Sequence, residues 1–111
     1  MTDDIIVMAD ATGAIRFWSA GAERAFGHAA MEVMNQSLEV IVPPEYRQAH
    51  WRGFHRAMAS GYAPAEGQPG PFPVLRADGT ILTIPGRLTL LRGPDQNPIG
   101  AIVVYELDAA G

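Results

Sequence analysis

Residues 43–61 read PPEYRQAHWRGFHRAMASG, the longest helical signal in the chain. At 100° per residue, Tyr46, Ala49, His50, Gly53, Phe54, Ala57 and Gly61 share one face. Gln48, Arg52, His55 and Arg56 fall on the other, so the segment reads as an amphipathic helix with a basic outer side. Pro43 and Pro44 open it, where a missing N–H costs nothing in the first turn. His50 lies near the centre of the apolar arc, and His55 points nearly opposite, toward water. Ala49, Gly53 and Ala57 leave room beside the His50 imidazole that a leucine-rich stripe would fill. Spacing alone leaves two readings of His50 open. It is either a core histidine whose nitrogens find a carbonyl or a water, or a metal ligand, since neutral imidazole is the commonest protein ligand.

Working outward, 111 residues suffice for one domain with one core. Apolar content of 48% and charged content of 18% fit an ordinary soluble globular protein. The net charge of −4, with arginine as the only strong base, argues against a nucleic-acid surface, which would show clustered Lys and Arg. No apolar run approaches the roughly 20 residues of a membrane span, and no signal peptide is visible. A cytoplasmic location is the expectation. The absence of Cys excludes disulfides, thiolate metal sites, Cys nucleophiles and thiol-linked chromophores.

Before the helix, residues 4–10 (DIIVMAD) read as a β-branched strand ended by the turn Asp10-Ala11-Thr12-Gly13. Residues 14–18 (AIRFW) read as its hairpin partner. Ser19 caps a helical stretch that Gly27 stops, and Ala29 to Met34 is a second short helical piece. Residues 37–42 fit a helical turn or a strand equally well. After Gly61, Tyr62 to Pro73 carries four Pro and two Gly and reads as an irregular crossover. Phe72 to Arg76 is a candidate strand, and Ala77-Asp78-Gly79-Thr80 a hairpin turn. Residues 81–91 alternate with period two, with Leu82, Ile84, Gly86, Leu88 and Leu90 on one face. Pro85 interrupts the ladder, so a bulge is expected there. Arg92 to Pro98 is a turn, and Ile99 to Leu107 a last apolar strand. Two strands, then helices, then three strands make an antiparallel α+β sheet with helices on one face.

The order of elements, the opening DDIIVMADATGAIRFWSAGAERAFG, the segment VPPEYRQAHWRGFHRAMASG and the RADGT turn together resemble a PAS domain over nearly the whole chain, residues 1–111. The resemblance is greatest to sensory PAS domains of bacterial histidine kinases and cyclic-dinucleotide enzymes. It implies a five-stranded antiparallel sheet cupping a small-molecule pocket that the Pro43–Gly61 helix closes. Residues Pro43 to His50 also match a P-x₃-R-x₂-H pattern like that of haem-binding oxygen-sensor kinases and a haem-containing phosphodiesterase. By that resemblance His50 would be the axial ligand of haem b, with Tyr46, Phe54, Ile84 and Leu88 lining the pocket. The match is incomplete. Gly70 and Gln68 stand where those proteins place a distal Arg and a distal Met, leaving Gln68 as a possible donor to bound gas. Gly86 stands where they place a bulky apolar residue, and either relieves a bulge beside Pro85 or opens the pocket.

Flavin photochemistry needs a Cys and a polar amide set that are absent, and no constellation suggests an enzyme. Two expectations of different class follow. One is a haem-based gas or redox sensor with His50 on iron. The other is a haem-free module that dimerises, transmits a signal or binds another small metabolite. The resemblance also implies a homodimer paired through the outer sheet face, with Ile102 and Val104 as uncovered residues, and a possible downstream signalling domain. The chain ends ELDAAG, without the Asp-x-Thr-like signature that leads such domains into a signalling helix, so it was either trimmed from a larger sensor or acts alone.

Overall fold

The computed structural model describes residues 4–106. Five strands form one antiparallel sheet: β1 (Ile5–Asp10), β2 (Ile15–Trp18), β3 (Pro69–Leu75), β4 (Ile81–Arg92) and β5 (Pro98–Tyr105), in the order β2-β1-β5-β4-β3. The first and last strands of the chain therefore lie side by side at the sheet's centre. Helices α1 (Ala20–Phe26), α2 (Ala30–Val33) and α3 (Arg47–Ser60) occupy the long connection between β2 and β3.

Local chemistry places each boundary. The Ser19 hydroxyl caps α1 by accepting from the Ala22 N–H, and it also accepts from the Ile6 N–H, so one side chain fixes the helix to β1. Gly27 ends α1 in the left-handed region, at φ 86°. Residues Leu38–Ile41 settle as a 3₁₀ turn rather than a strand, with Ser37 accepting from the Glu39 N–H. A second 3₁₀ turn, Pro44–Tyr46, leads into α3, which Gly61 closes at φ 74°.

The proline-rich stretch corrects two expectations. β3 begins at Pro69 rather than Phe72, because it is an edge strand. Pro69, Pro71 and Pro73 share one parity, and their missing donors all turn away from β4. Pro85 makes no bulge either: the β3–β4 register runs unbroken from Pro69↔Arg87 to Leu75↔Ile81. Its carbonyl accepts from Glu106, just past the end of β5, so the missing ladder bond falls where that ladder stops. The register shifts in this sheet instead fall at Met8/Ala9 and Leu91/Arg92.

Two apolar clusters fill the space between helices and sheet. The larger joins Phe26, Ile15, Trp18, Val33, Val74, Ile84 and Tyr105, with Phe26 in edge-to-face contact with Trp18 and Tyr105. The smaller, under α3, consists of Ala57, Ala63, Ala101 and Leu90, bordered by Phe54, Met58 and Leu88. Three alanines and one leucine cannot fill the gap between a helix and a sheet. That shortage of side-chain volume creates the site.

Candidate ligand-binding site

Between α3 and the sheet lies a cavity of about 500 Å³. The helix contributes Ala49, His50, Gly53, Phe54 and Ala57 to its wall, and the 3₁₀ turn before it contributes Tyr46, together the face that helical periodicity assigns. Strands β4 and β5 contribute Leu88, Leu90, Ala101, Val103 and Tyr105, and the crossover after α3 contributes Tyr62, Ala63, Pro64 and Ala65. The lining is overwhelmingly apolar, with small residues on every wall. It lies in the size range of small-molecule sites.

His50 is the lining residue with the most distinctive chemistry. Its ring stands edge-on to Trp51, with centroids 4.9 Å apart, and stacks loosely on Phe54 at 6.2 Å. Nδ1 is shut off from solvent without a hydrogen-bond partner, and neither ring nitrogen is bonded among the described residues. Burial pushes its pKa below 6.5; the Glu39 carboxylate opposes that shift, and His55 reinforces it. The imidazole is therefore neutral near pH 7. Tyr105, nearly enclosed, also lines the cavity, and its hydroxyl makes no hydrogen bond among the described residues. Burial raises its pKa, so it remains a protonated donor.

Trp51 holds α3 in place. Its indole donates to Glu39 Oε1 at 3.0 Å, and its ring lies where a Cβ on Gly13 would be, 2.6 Å away. Gly13, at φ 86° in the β1–β2 turn, thus makes room for the helix's anchor. His55, exposed as expected, stacks on the far side of the same indole at 5.8 Å. At the other end, Glu66 accepts from the Leu90 N–H and from both Nη atoms of Arg92, while Arg92 also donates to the Gly61 carbonyl. This fork ties the crossover to β4.

Of the residues singled out from sequence, His50, Tyr46, Phe54 and Leu88 meet at the cavity, whereas Ile84, Gln68 and Gly86 are not in its lining. Ile84 belongs to the larger core cluster. Gln68 is exposed where the crossover enters β3. Gly86 neither relieves a bulge nor opens the cavity: a Cβ there would come within 3.2 Å of Phe72, Tyr105 and the Val104 carbonyl, so its bareness lets two aromatic rings meet at 5.6 Å. Arg56, assigned to the outer side of the helix, reaches the cavity lining. Tyr105 and the crossover alanines were missed. The alternation Ala101, Val103, Tyr105 was a signal for the former, masked by the apolar residues between.

The PAS fold family model matches residues 2–106, and the chain belongs to that family. It is a sensory domain by class. An uncharacterized protein of Azorhizobium caulinodans is 34% identical over 88 residues, a match covering 78% of this chain but only 12% of that protein. Among solved structures, the PAS domain of a Colwellia psychrerythraea protein aligns with a TM-score of 0.78 at 20% identity, covering 97% of this chain and 88% of that one. The PAS domain of the RpfR quorum-sensing receptor of Cronobacter turicensis, in complex with BDSF, aligns with a TM-score of 0.73 at 17% identity, covering 95% and 93%. At these identities the structural likeness carries the fold.

Proposed function

We propose that this PAS domain senses a small molecule with an apolar body, bound between α3 and the sheet with the neutral imidazole of His50 as a recognition group. One observation carries the reading: an apolar cavity of about 500 Å³ whose wall holds a histidine with no hydrogen-bond partner. Nε2, which is not enclosed as Nδ1 is, has no partner among the described residues and is the nitrogen that a polar group of a ligand could pair with. The RpfR domain with BDSF is a relative in fold with a small-molecule occupant, which supports the reading in kind.

Haem b with a diatomic gas is a second reading, favoured by the state of His50. A neutral imidazole in an apolar cavity is the kind of donor that would hold haem iron. Haem asks for one protein donor, and His50 offers a single unpartnered imidazole at the cavity wall. When bound, haem would supply a redox-active iron able to take a gas. His50 would hold it, and Phe54 and Leu88 would exclude water around it. A homodimer through the outer sheet face and a connected signalling domain complete the proposal. The reading places the domain in signal reception rather than catalysis.

Absorption spectroscopy separates the two readings. A haem protein is red, with a strong band near the blue edge of the visible that shifts on reduction and on adding carbon monoxide. His50→Ala should abolish that band, while His55→Ala should keep it. A protein that stays colourless after incubation with haemin ends the haem reading and leaves the first. Failure to bind any apolar small molecule, with His50→Ala melting like the wild type with and without ligands, overturns the first.

A further inference from the structure

The cavity opens to solvent along one edge of α3, where Tyr46, Ala49, Gly53 and Arg56 line it while remaining exposed. Gly53 stands out in that row. It sits in the interior of the 14-residue helix, where glycine is the weakest former after proline. Gly27 and Gly61 end helices at positive φ, but Gly53 has no such backbone requirement. A Cβ on it would meet no heavy atom within 4 Å. No described residue packs against that position, and Gly53 is both exposed and part of the cavity lining.

Arg56 lies three residues on, along the same edge of the helix. It is the one Arg in the cavity lining, and its guanidinium makes no hydrogen bond or ion pair among the described residues. Arg92, by contrast, is committed to Glu66. An uncommitted cation at the rim of an apolar cavity favours a ligand that is apolar inside and anionic at its exposed end.

We propose that Gly53 sets the width of the opening and that Arg56 receives an anionic head group there. The ligand is then an amphiphile with an aliphatic chain inside and a carboxylate at the rim. This rests on the reading that the cavity binds an apolar-bodied molecule. Haem carboxylates offer the same head chemistry, so haemin is tested beside the aliphatic probes.

The test is calorimetric titration of the domain with decanoate, decanol and haemin, in wild type, Gly53→Ala, Gly53→Leu and Arg56→Gln. Wild type should bind decanoate more tightly than decanol. Arg56→Gln should weaken decanoate about tenfold, the loss of one charge-assisted contact, and leave decanol unchanged. Gly53→Leu should lose both aliphatic probes while melting no lower than wild type, since the added side chain meets no protein atom at its Cβ. Gly53→Ala, which cannot disturb the helix, should weaken them in part. Wild-type binding by both Gly53 variants would overturn the role of Gly53. Equal losses of decanoate and decanol in Arg56→Gln would overturn the role of Arg56. Binding of haemin without either aliphatic probe would leave a cavity ligand but reject the amphiphile. Binding of none of the three would remove the underlying reading, and this proposal with it.

Discussion

His50 carries a free-energy consequence independent of any ligand. Its pKa in the folded domain is held below 6.5 by burial, so between that lowered value and 6.5 the unfolded chain binds a proton that the folded chain does not. Stability is therefore complete above about pH 6.5 and declines as pH falls through the folded value. Burial sets the shift, the Glu39 carboxylate opposes it and His55 adds to it, and His50→Gln removes the titrating group while leaving both neighbours in place. The difference in melting temperature between pH 7.5 and pH 5 should be smaller in His50→Gln than in wild type. An identical difference in both would mean the imidazole titrates as freely folded as unfolded. From the sequence, the position of His50 on the cavity face was legible because helical periodicity is a local property. The lost hydrogen bond was not, because it depends on Trp51 and Phe54 enclosing the ring.

At the scale of elements, α3 is held by its ends and one anchor rather than by a packed stripe. Ala57 is the one residue of α3 that is buried outright among those described. The indole of Trp51, bonded to Glu39 and pressed against Gly13, therefore links the helix to the β1–β2 turn. Gly13→Ala should be costly twice over. A left-handed alanine costs about 1–2 kcal/mol, and its methyl would displace the indole. Urea denaturation should show a loss of at least that size, together with a changed tryptophan emission. A loss within a few tenths of a kcal/mol would mean the turn relaxes and the anchor is dispensable. Sequence marked Gly13 as a turn residue, but the contact spans 38 positions, and no local pattern encodes it. The first part of β3, residues 69–71, was hidden for a related reason. Prolines forbid a central strand and suit an edge one, and only the strand order β2-β1-β5-β4-β3 puts this segment at an edge.

At the scale of the molecule, the helices among the described residues cover one face of the sheet, and no described helix covers the other. On that other face Ile6 pairs with Val104, and Met8 sits between Ile102 and Phe17. Val104 and Phe17 are exposed. A contiguous apolar strip across three strands favours pairing with a second copy, as the proposed homodimer requires. Sedimentation of the wild type should show a dimer, and Val104→Glu with Phe17→Glu should give a folded monomer, since neither side chain is in the core. A wild type that stays monomeric from micromolar to millimolar concentration rules the dimer out. No helix among the described residues is long and apolar enough to cross a membrane. Residues 107–111, where the sequence departs from the expected lead into a signalling helix, lie outside the described residues.

The sequence by itself determined the elements and their order. Capping by Ser19, the stops at Gly27 and Gly61, the Asp78-Gly79 turn and the alternation in residues 81–91 are local chemistry, and local chemistry is written in adjacent residues. It also determined which face of α3 looks inward. Only the tertiary structure decided what that face meets. Ala63 and Ala101, far apart in the chain, come under Ala57, and too little volume remains to close the gap. Ile84 and Leu88 lie on the same strand face, yet Ile84 joins the larger core cluster, while Leu88 borders the smaller one and lines the cavity. A cavity is a deficit of volume summed over distant segments, so it exists only once those segments have been brought together.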